Sequence, residues 1–313
     1  MMTEETKGKD RSLWVYLGIT FALTYLYEIF VVGGLIGNQN FAPVISLLIS
    51  LAMFFPTVGM LLTRLVTKEG FKNLWLAPNL RGNMRHYLAA WLLPAAAIAV
   101  GAVVYFVIFP TQFDLNMGYM ATMYAAQGMP FDPAATRILI LTQILTGLFL
   151  APLLNAVTCL GEEWGWRGYM MPKLAARMSF GKACLLGGVI WGLWHAPLTM
   201  MGHNYGMGYW GFPVTGIAAM CLFCVTVGTL LSYLSLKVKS CWPAVIGHAV
   251  LNGLAAAALY FTPGTASPTA MLLGPAPTGI VGGVGFLALA ITAVLLSRKQ
   301  NSEAVQPATP ELP

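Results

Sequence analysis

The sequence predicts an all-α membrane protein, a single bundle of about eight transmembrane helices. The chain of 313 residues is 58% hydrophobic and only 9% charged, whereas a soluble domain carries about 25% charged residues. A chain so poor in charge could not cover the surface of a water-soluble protein, so that class is excluded. The apolar residues form continuous blocks of about 20 residues, each long enough to cross a hydrocarbon core of about 30 Å. Because these blocks are continuous and do not alternate with polar residues, they favour helices over a closed barrel.

Eight apolar blocks are predicted to span the membrane. They are residues 13–35, 42–63, 87–109, 138–171, 183–201, 213–236, 242–261 and 277–297. The fourth block is longer than one span needs, so we expect it to bend near Pro152 or to leave the apolar core before its end. We expect a polar N-terminal segment at 1–12, one transmembrane domain at 13–297, and a disordered tail at 298–313. The first block is too long for the apolar part of a signal peptide, so we expect it to be retained.

The basic residues predict the orientation in the membrane. With these spans, 16 of the 17 Lys and Arg residues fall on one side, and Arg137 alone falls on the other. The positive-inside rule assigns the basic side to the cytoplasm, with both termini there. We expect the plasma membrane to be the location. Orientation and contact with anionic membrane lipid account for the net charge of +6, so nucleic-acid binding is not needed to explain it.

The five cysteines give no indication of a metal or redox site. Cys221 and Cys224 form a CxxC pattern, but it lies in the middle of an apolar block and has no second pair. We favour the interpretation that the cysteines are small packing residues.

Four charged residues, two histidines and one asparagine stand out inside the predicted spans, where a charged side chain costs about 2.5–3.5 kcal/mol and is usually functional. They are Glu28, Glu162, Glu163, Arg167, His195, His248 and Asn252. All except Glu28 fall into three short segments.

The first segment runs from Gly161 to Gly168. Adjacent helical residues point about 100° apart, so Glu162 and Glu163 cannot face the same site. Glu163 and Arg167 are four residues apart and can pair on one helix face, which leaves Glu162 to face another group. An interfacial charge cluster at a helix end is the alternative.

The second and third segments supply two histidines and an asparagine. His195 lies about 18 Å from the cytoplasmic end of its helix, a depth similar to that expected for Glu162. His248 and Asn252 are four residues apart, so they share one helix face. The alternatives are a core histidine bonded to a carbonyl and, for the second pair, polar residues that hold helices together.

A buried carboxylate beside an imidazole can deprotonate water, and His248 and Asn252 can donate hydrogen bonds to an oxyanion. This combination favours hydrolysis of an acyl bond such as a peptide. The sequence contains no GxSxG, HExxH or GxxxxGK[ST] motif and no GxGxxG in a strand–helix context. No cysteine has an obvious histidine base.

The three patterns Glu-Glu-x-x-x-Arg, aromatic-x-x-x-His and His-x-x-x-Asn resemble the signature of the CPBP family. This family comprises the type II CAAX prenyl endopeptidases and the bacteriocin-processing and self-immunity proteins. The resemblance covers about 100 residues, with a family core of about 138–261, and Gly161 to Tyr169 is an especially close match. One departure is Trp191, which stands where the family usually has Phe.

The resemblance implies residue roles. It implies that Glu162 and His195 activate water and that His248 and Asn252 form the oxyanion hole. Glu163, Arg167 and Trp191 would be supporting residues. One Glu and two His would also suffice as zinc ligands, so zinc stays possible, although no cofactor and a metal-free reaction are favoured.

Two other functional classes remain open. The same polar cavity could hold a peptide or lipid without cutting it, as in a binding or immunity protein. A transporter with a proton relay is less favoured, because no internal repeat is visible. The expected partners are membrane lipid and a membrane-associated protein or lipidated peptide, with no nucleic acid. The connections 110–137 and 202–212 are predicted to lie on the outer face as ordinary loops, with gating or docking of partners as the alternative.

Overall fold

The computed structural model describes residues 4–36, 41–264 and 268–305, and within these ranges the regular elements are helices, without a strand. The all-α prediction is therefore confirmed. The first eight α-helices are α1 (Glu4–Tyr27), α2 (Gly33–Leu35), α3 (Ala42–Ala52), α4 (Phe55–Val66), α5 (Met84–Ile108), α6 (Gly118–Ala126), α7 (Pro133–Phe149) and α8 (Ala151–Leu154). The remaining eight are α9 (Ala156–Gly165), α10 (Met171–Ala175), α11 (Phe180–Trp194), α12 (Ala196–Met200), α13 (Val214–Val238), α14 (Trp242–Leu254), α15 (Pro268–Leu273) and α16 (Val284–Val305).

Five helical stretches in the described residues are long and apolar enough to cross a membrane. They are Arg11–Leu35, Val44–Val66, Met84–Ile108, Val214–Val238 and Trp242–Phe261. The helices α7 and α11 are apolar but shorter. The chain is thus a multi-pass integral membrane protein, as predicted, although its helices are less uniform than eight equal spans.

The predicted fourth and fifth blocks are both interrupted. The fourth is divided into α7, α8 and α9, followed by a π-helical turn at Trp166–Met170 and by α10. The expected bend near Pro152 is confirmed, since α8 begins there. The fifth block breaks at His195, because Pro197 lies at the start of α12 and lacks the N–H that would continue α11.

Both ends of the bundle differ from the predicted boundaries. The first helix begins at Glu4, within the segment expected to precede the helices. The last helix begins at Val284 instead of 277 and continues to Val305, beyond the position 298 where we expected a disordered tail. Residues 306–313 of that expected tail lie outside the described residues.

Glycines bring the helices of the three motifs close together. A Cβ at Gly188 would lie 2.4 Å from the Cα of Val225, and one at Gly192 would lie 2.4 Å from the Cα of Cys221. Only glycine permits this approach of α11 to α13, as is common in membrane bundles. The CxxC cysteine Cys221 is therefore a packing residue at this contact.

The loop between α4 and α5, residues 67–83, covers one end of the bundle, which we call the basic end. The indole of Trp164 donates to the carbonyl of Leu74 at 2.7 Å, and the indole of Trp242 donates to Leu76 at 2.8 Å. At the opposite end, the hydroxyl of Tyr205 donates to the carbonyl of Thr278 at 2.8 Å. Because Lys and Arg residues gather at the first end, we still predict that it is the cytoplasmic one.

Candidate active site

The two adjacent glutamates lie at the centre of the bundle on α9. Glu162 is 2% exposed and Glu163 is fully buried. The helix that carries them packs tightly on α4, because a Cβ at Gly165 would lie 2.5 Å from the backbone of Pro56. This close packing fixes the rotation of α9 and directs the two carboxylates to different neighbours.

Glu163 is the centre of a buried ion-pair network. The guanidinium of Arg167 lies 3.0 Å from each carboxylate oxygen, which confirms the predicted pairing on one helix face. The same carboxylate also accepts a hydrogen bond of 2.8 Å from Nδ1 of His248. The second contact joins α9 to α14 and was not predicted, because its two residues are 85 positions apart.

Glu162 points to a different partner, as the geometry of adjacent residues requires. Its Oε1 accepts a hydrogen bond from the indole N–H of Trp191 on α11. The guanidinium of Arg167 lies over the ring of Trp191, 4.1 Å from the ring centroid. Trp191 therefore contacts both charged groups, a role more specific than the supporting one that the resemblance implied.

The interruption between α11 and α12 determines how His195 is held. Its Nδ1 lies 2.9 Å from the carbonyl oxygen of Trp191. A carbonyl can only accept, so Nδ1 carries the proton and Nε2 keeps a lone pair. The ring of Trp194 packs edge-on against the imidazole, with centroids 4.7 Å apart. The orientation and the tautomer of His195 are thus both fixed by neighbouring groups.

One cavity collects the four residues that the sequence singled out for catalysis. Its volume is about 260 Å³. Among its lining residues are Glu162, His195, His248 and Asn252. These side chains come from α9, α11 and α14, so the packing of three separate helices unites them at one place.

Asn252 contributes a weakly engaged amide to this cavity. Its Nδ2 lies 3.8 Å from the sulfur of Cys159, and sulfur is a weak acceptor. The amide is exposed and lines the cavity. Its N–H groups are therefore available to a molecule bound there.

The cavity extends toward the end of the bundle opposite the basic end. His203 and Asn204, in the loop after α12, line it together with Thr278. The sequence prediction favoured an ordinary connector here over a gate or docking loop. The histidine and asparagine in a stretch otherwise rich in glycine and aromatic residues were the signal that could have indicated a cavity mouth.

Cys224 lies close to the site, although the sequence indicates no cysteine with an obvious histidine base. Its sulfur is 3.9 Å from Nδ1 of His195. That nitrogen already donates to Trp191, and the cysteine is fully buried and is not among the residues that line the cavity. A base–nucleophile pair would need the thiol to face the substrate, so Cys224 does not fit the role of nucleophile.

Glu28 is the polar residue that lies outside the three motifs. It is fully buried at the start of a π-helical turn, and neither carboxylate oxygen has a hydrogen-bond partner in the described parts of the chain. It does not line the cavity.

The side chains of Glu162, Glu163 and His248 offer donor atoms within 4.8 Å of one another, the types that bind zinc. However, the Glu163 carboxylate is already shared by a guanidinium and an imidazole N–H. A cation bound there would have to displace the His248 contact and sit beside the positive charge of Arg167. The donor types suit zinc but their present pairing does not, and no step below depends on a metal.

The comparisons with known proteins agree with the motifs. Residues 138–254 match the family model described as type II CAAX prenyl endopeptidase Rce1-like. A curated relative, CAAX prenyl protease 2 from Methanococcus maripaludis, is 35% identical over 112 residues. The match covers 36% of this chain and 40% of the relative, less than half of either protein. Glu162, His195, His248 and Asn252 all lie inside the matched segment, and over residues 138–254 the chain is therefore similar to the Rce1-like type II CAAX prenyl endopeptidases.

Proposed function

We propose that this protein is an intramembrane endopeptidase that hydrolyses a peptide bond by attack of an activated water. The observation that carries the proposal is the single cavity lined by Glu162, His195, His248 and Asn252. A buried water needs about 10–15 Å³ of cavity volume, so a cavity of about 260 Å³ holds both a water and a short stretch of peptide. The cavity also contains the acid–base and donor groups that amide hydrolysis requires.

Glu162 acts as the general base in this proposal. Its carboxylate takes a proton from the water while the water oxygen bonds to the scissile carbonyl carbon. The indole of Trp191 holds one carboxylate oxygen, which leaves the other to receive the proton. When the tetrahedral intermediate collapses, the C–N bond breaks and Glu162 returns the proton to the departing nitrogen.

His195 positions the same water. Because its Nδ1 proton is committed to Trp191, the lone pair on Nε2 can accept the second hydrogen bond of the water. A water that is held by two acceptors has its oxygen lone pair directed away from both. This arrangement lowers the entropy lost on reaching the attack geometry.

His248 and Asn252 stabilise the oxyanion that forms on the carbonyl oxygen. Asn252 offers amide N–H groups that have no strong protein acceptor. His248 needs a proton on Nε2 to donate, and Glu163 at 2.8 Å from Nδ1 compensates the charge of the doubly protonated ring. Glu163 is therefore the positioning residue that keeps His248 in its donor form, and Arg167 acts indirectly by holding the Glu163 carboxylate in place.

The proposed substrate is a membrane-associated protein or lipidated peptide. The cavity lies inside the bundle, and it is lined at its mouth by His203 and Asn204. The relative is named a CAAX prenyl protease, which makes a prenylated C-terminal peptide the first substrate to test. Such a peptide should be compared with the same sequence without the prenyl group.

The experiment is cleavage of these two peptides by purified protein in liposomes. Glu162→Gln keeps the shape of the side chain and removes the base, so it should abolish turnover. Asp132→Asn, which changes an exposed carboxylate that asparagine can replace as the N-cap of α7, is the control and should cleave at the wild-type rate. Cleavage by folded Glu162→Gln would refute the proposal. Peptide binding without cleavage by the wild type would instead indicate a binding protein.

A further inference from the structure

We propose that a second pocket, at the basic end, binds the phosphate headgroup of an anionic phospholipid. This pocket has a volume of about 620 Å³. We call it the headgroup pocket, and its charged and aromatic lining includes Arg64, Glu69, Lys72, Tyr169, Lys173 and Arg177. None of these residues lines the cavity that contains Glu162.

Arg64 is the most buried cation of the headgroup pocket, with 7% of its surface exposed. It lies in the last turn of α4, where one terminal nitrogen donates to the carbonyls of Gly70 at 2.7 Å and Lys72 at 3.2 Å. Its Nε is buried and has no hydrogen-bond partner within the described ranges. A guanidinium held by neutral carbonyls keeps its full charge, and a phosphate can satisfy the remaining N–H group.

The other charges of the headgroup pocket leave an excess of cations. Lys173 pairs with Glu69, and these two side chains neutralise each other. Lys72 is exposed beside them, and Arg177 completes the lining. With Glu69 paired to Lys173, Arg64 and Lys72 remain as cations without a carboxylate among the residues that line the pocket, so its potential favours an anion.

The position of the pocket favours a lipid over a dissolved anion. The apolar stretch Val44–Val66 ends two residues after Arg64, so the guanidinium lies where hydrocarbon gives way to headgroups. Tyr169 and Trp75 line the same pocket, and such aromatic residues are typical of the membrane–water interface. A phosphate carried by a lipid is at high local concentration at this depth, whereas free phosphate is not.

The test measures lipid binding to protein reconstituted in phosphatidylcholine nanodiscs and titrated with phosphatidylglycerol, with bound lipid counted by native mass spectrometry. The variant is Lys72→Glu, and the matched control is Arg81→Glu. Both residues are exposed in the same loop, and both substitutions change the net charge equally. Arg81, however, does not line the pocket. Each unit of charge near an anionic lipid changes affinity about fivefold, so Lys72→Glu should weaken phosphatidylglycerol binding about thirtyfold.

The control should bind phosphatidylglycerol within a fewfold of the wild type, and phosphatidylcholine should not be retained. Equal losses in the two variants would overturn the proposal, because general surface charge would then explain the binding. Displacement of the lipid by millimolar inorganic phosphate would also overturn it, in favour of a site for a soluble anion. The Glu162→Gln protein should bind the lipid like the wild type, so this test is independent of proteolysis.

Discussion

Asn252→Ala should separate catalysis from folding. The only protein contact of the amide is a long one, 3.8 Å from Nδ2 to the sulfur of Cys159, among the contacts of the described residues. Its removal should therefore change the free energy of unfolding by no more than about 0.5 kcal/mol, as for substitutions that break no strong contact. The loss of an oxyanion donor should nevertheless lower kcat by about 10²–10³, equivalent to about 2.7–4 kcal/mol.

The assay measures kcat and KM for peptide cleavage in liposomes, together with the melting temperature of each variant. An interaction made only in the transition state lowers kcat and leaves KM unchanged. Asn252→Asp keeps the shape and removes the N–H donors, so it should lose at least as much activity. Asn116→Ala, at an exposed asparagine remote from the cavity, is the control for the substitution itself.

Two results would refute this reasoning. If Asn252→Ala cleaved within about threefold of the wild type, the amide would not contact the oxyanion. If the variant lost activity in proportion to its melting temperature, Asn252 would be a structural residue that joins α14 to α9.

Four further outcomes are expected. Glu163→Gln leaves the guanidinium of Arg167 buried and unpaired, so it should reduce the free energy of unfolding by about 3–5 kcal/mol in chemical denaturation. If this variant were as stable as the wild type, the buried ion-pair network would not stabilise the fold. Burial raises the pKa of Glu69, but hydrogen bonds from Lys173 and its neighbours outweigh it and lower the pKa below its ordinary value. The stabilisation from Glu69 is therefore complete above about pH 4.3 and is lost as the pH falls through the lower folded-state pKa. Below pH 4.3, the melting temperature of the wild type should fall more steeply with decreasing pH than that of Glu69→Gln. Parallel curves of melting temperature against pH would argue against a stabilising Glu69 carboxylate. Extensive chelation should leave cleavage unchanged, and loss of activity together with one bound zinc per chain would establish a metal site. A cysteine introduced at Asn204 should react with an impermeant reagent from outside the cell, and labelling only from the cytoplasm would reverse the predicted orientation.

The sequence alone predicted the class of fold and singled out four polar residues of the cavity, because both depend on local patterns. Long apolar blocks predict membrane helices, because a helix satisfies its own backbone hydrogen bonds where water is excluded. Polar residues inside those blocks stand out individually, since each one is costly in lipid. The pairing of Glu163 with Arg167 was also predictable, because helix geometry alone brings residues four apart together.

Other features depend on how separate helices pack, which no local pattern contains. The hydrogen bond from His248 to Glu163 needs α14 to approach α9 at one rotation. The hydrogen bond from Trp191 to Glu162 likewise requires α11 to approach α9 at one rotation. The break at His195 had a local signal in Pro197, but the block was uniformly apolar and hydropathy outweighed that signal.

The position of Cys224 has a consequence for inhibitor studies. Its sulfur lies 3.9 Å from the imidazole of His195, on the Nδ1 side of the ring. A small reagent that reached this buried thiol would add bulk behind the histidine and push its Nε2 out of line with the water. Such a reagent would inactivate the protein and imitate the behaviour of a cysteine protease, although sulfur takes no part in the proposed chemistry. Sensitivity to thiol reagents is therefore no guide to mechanism here, and its loss in a Cys224→Ala variant would identify this contact as the cause.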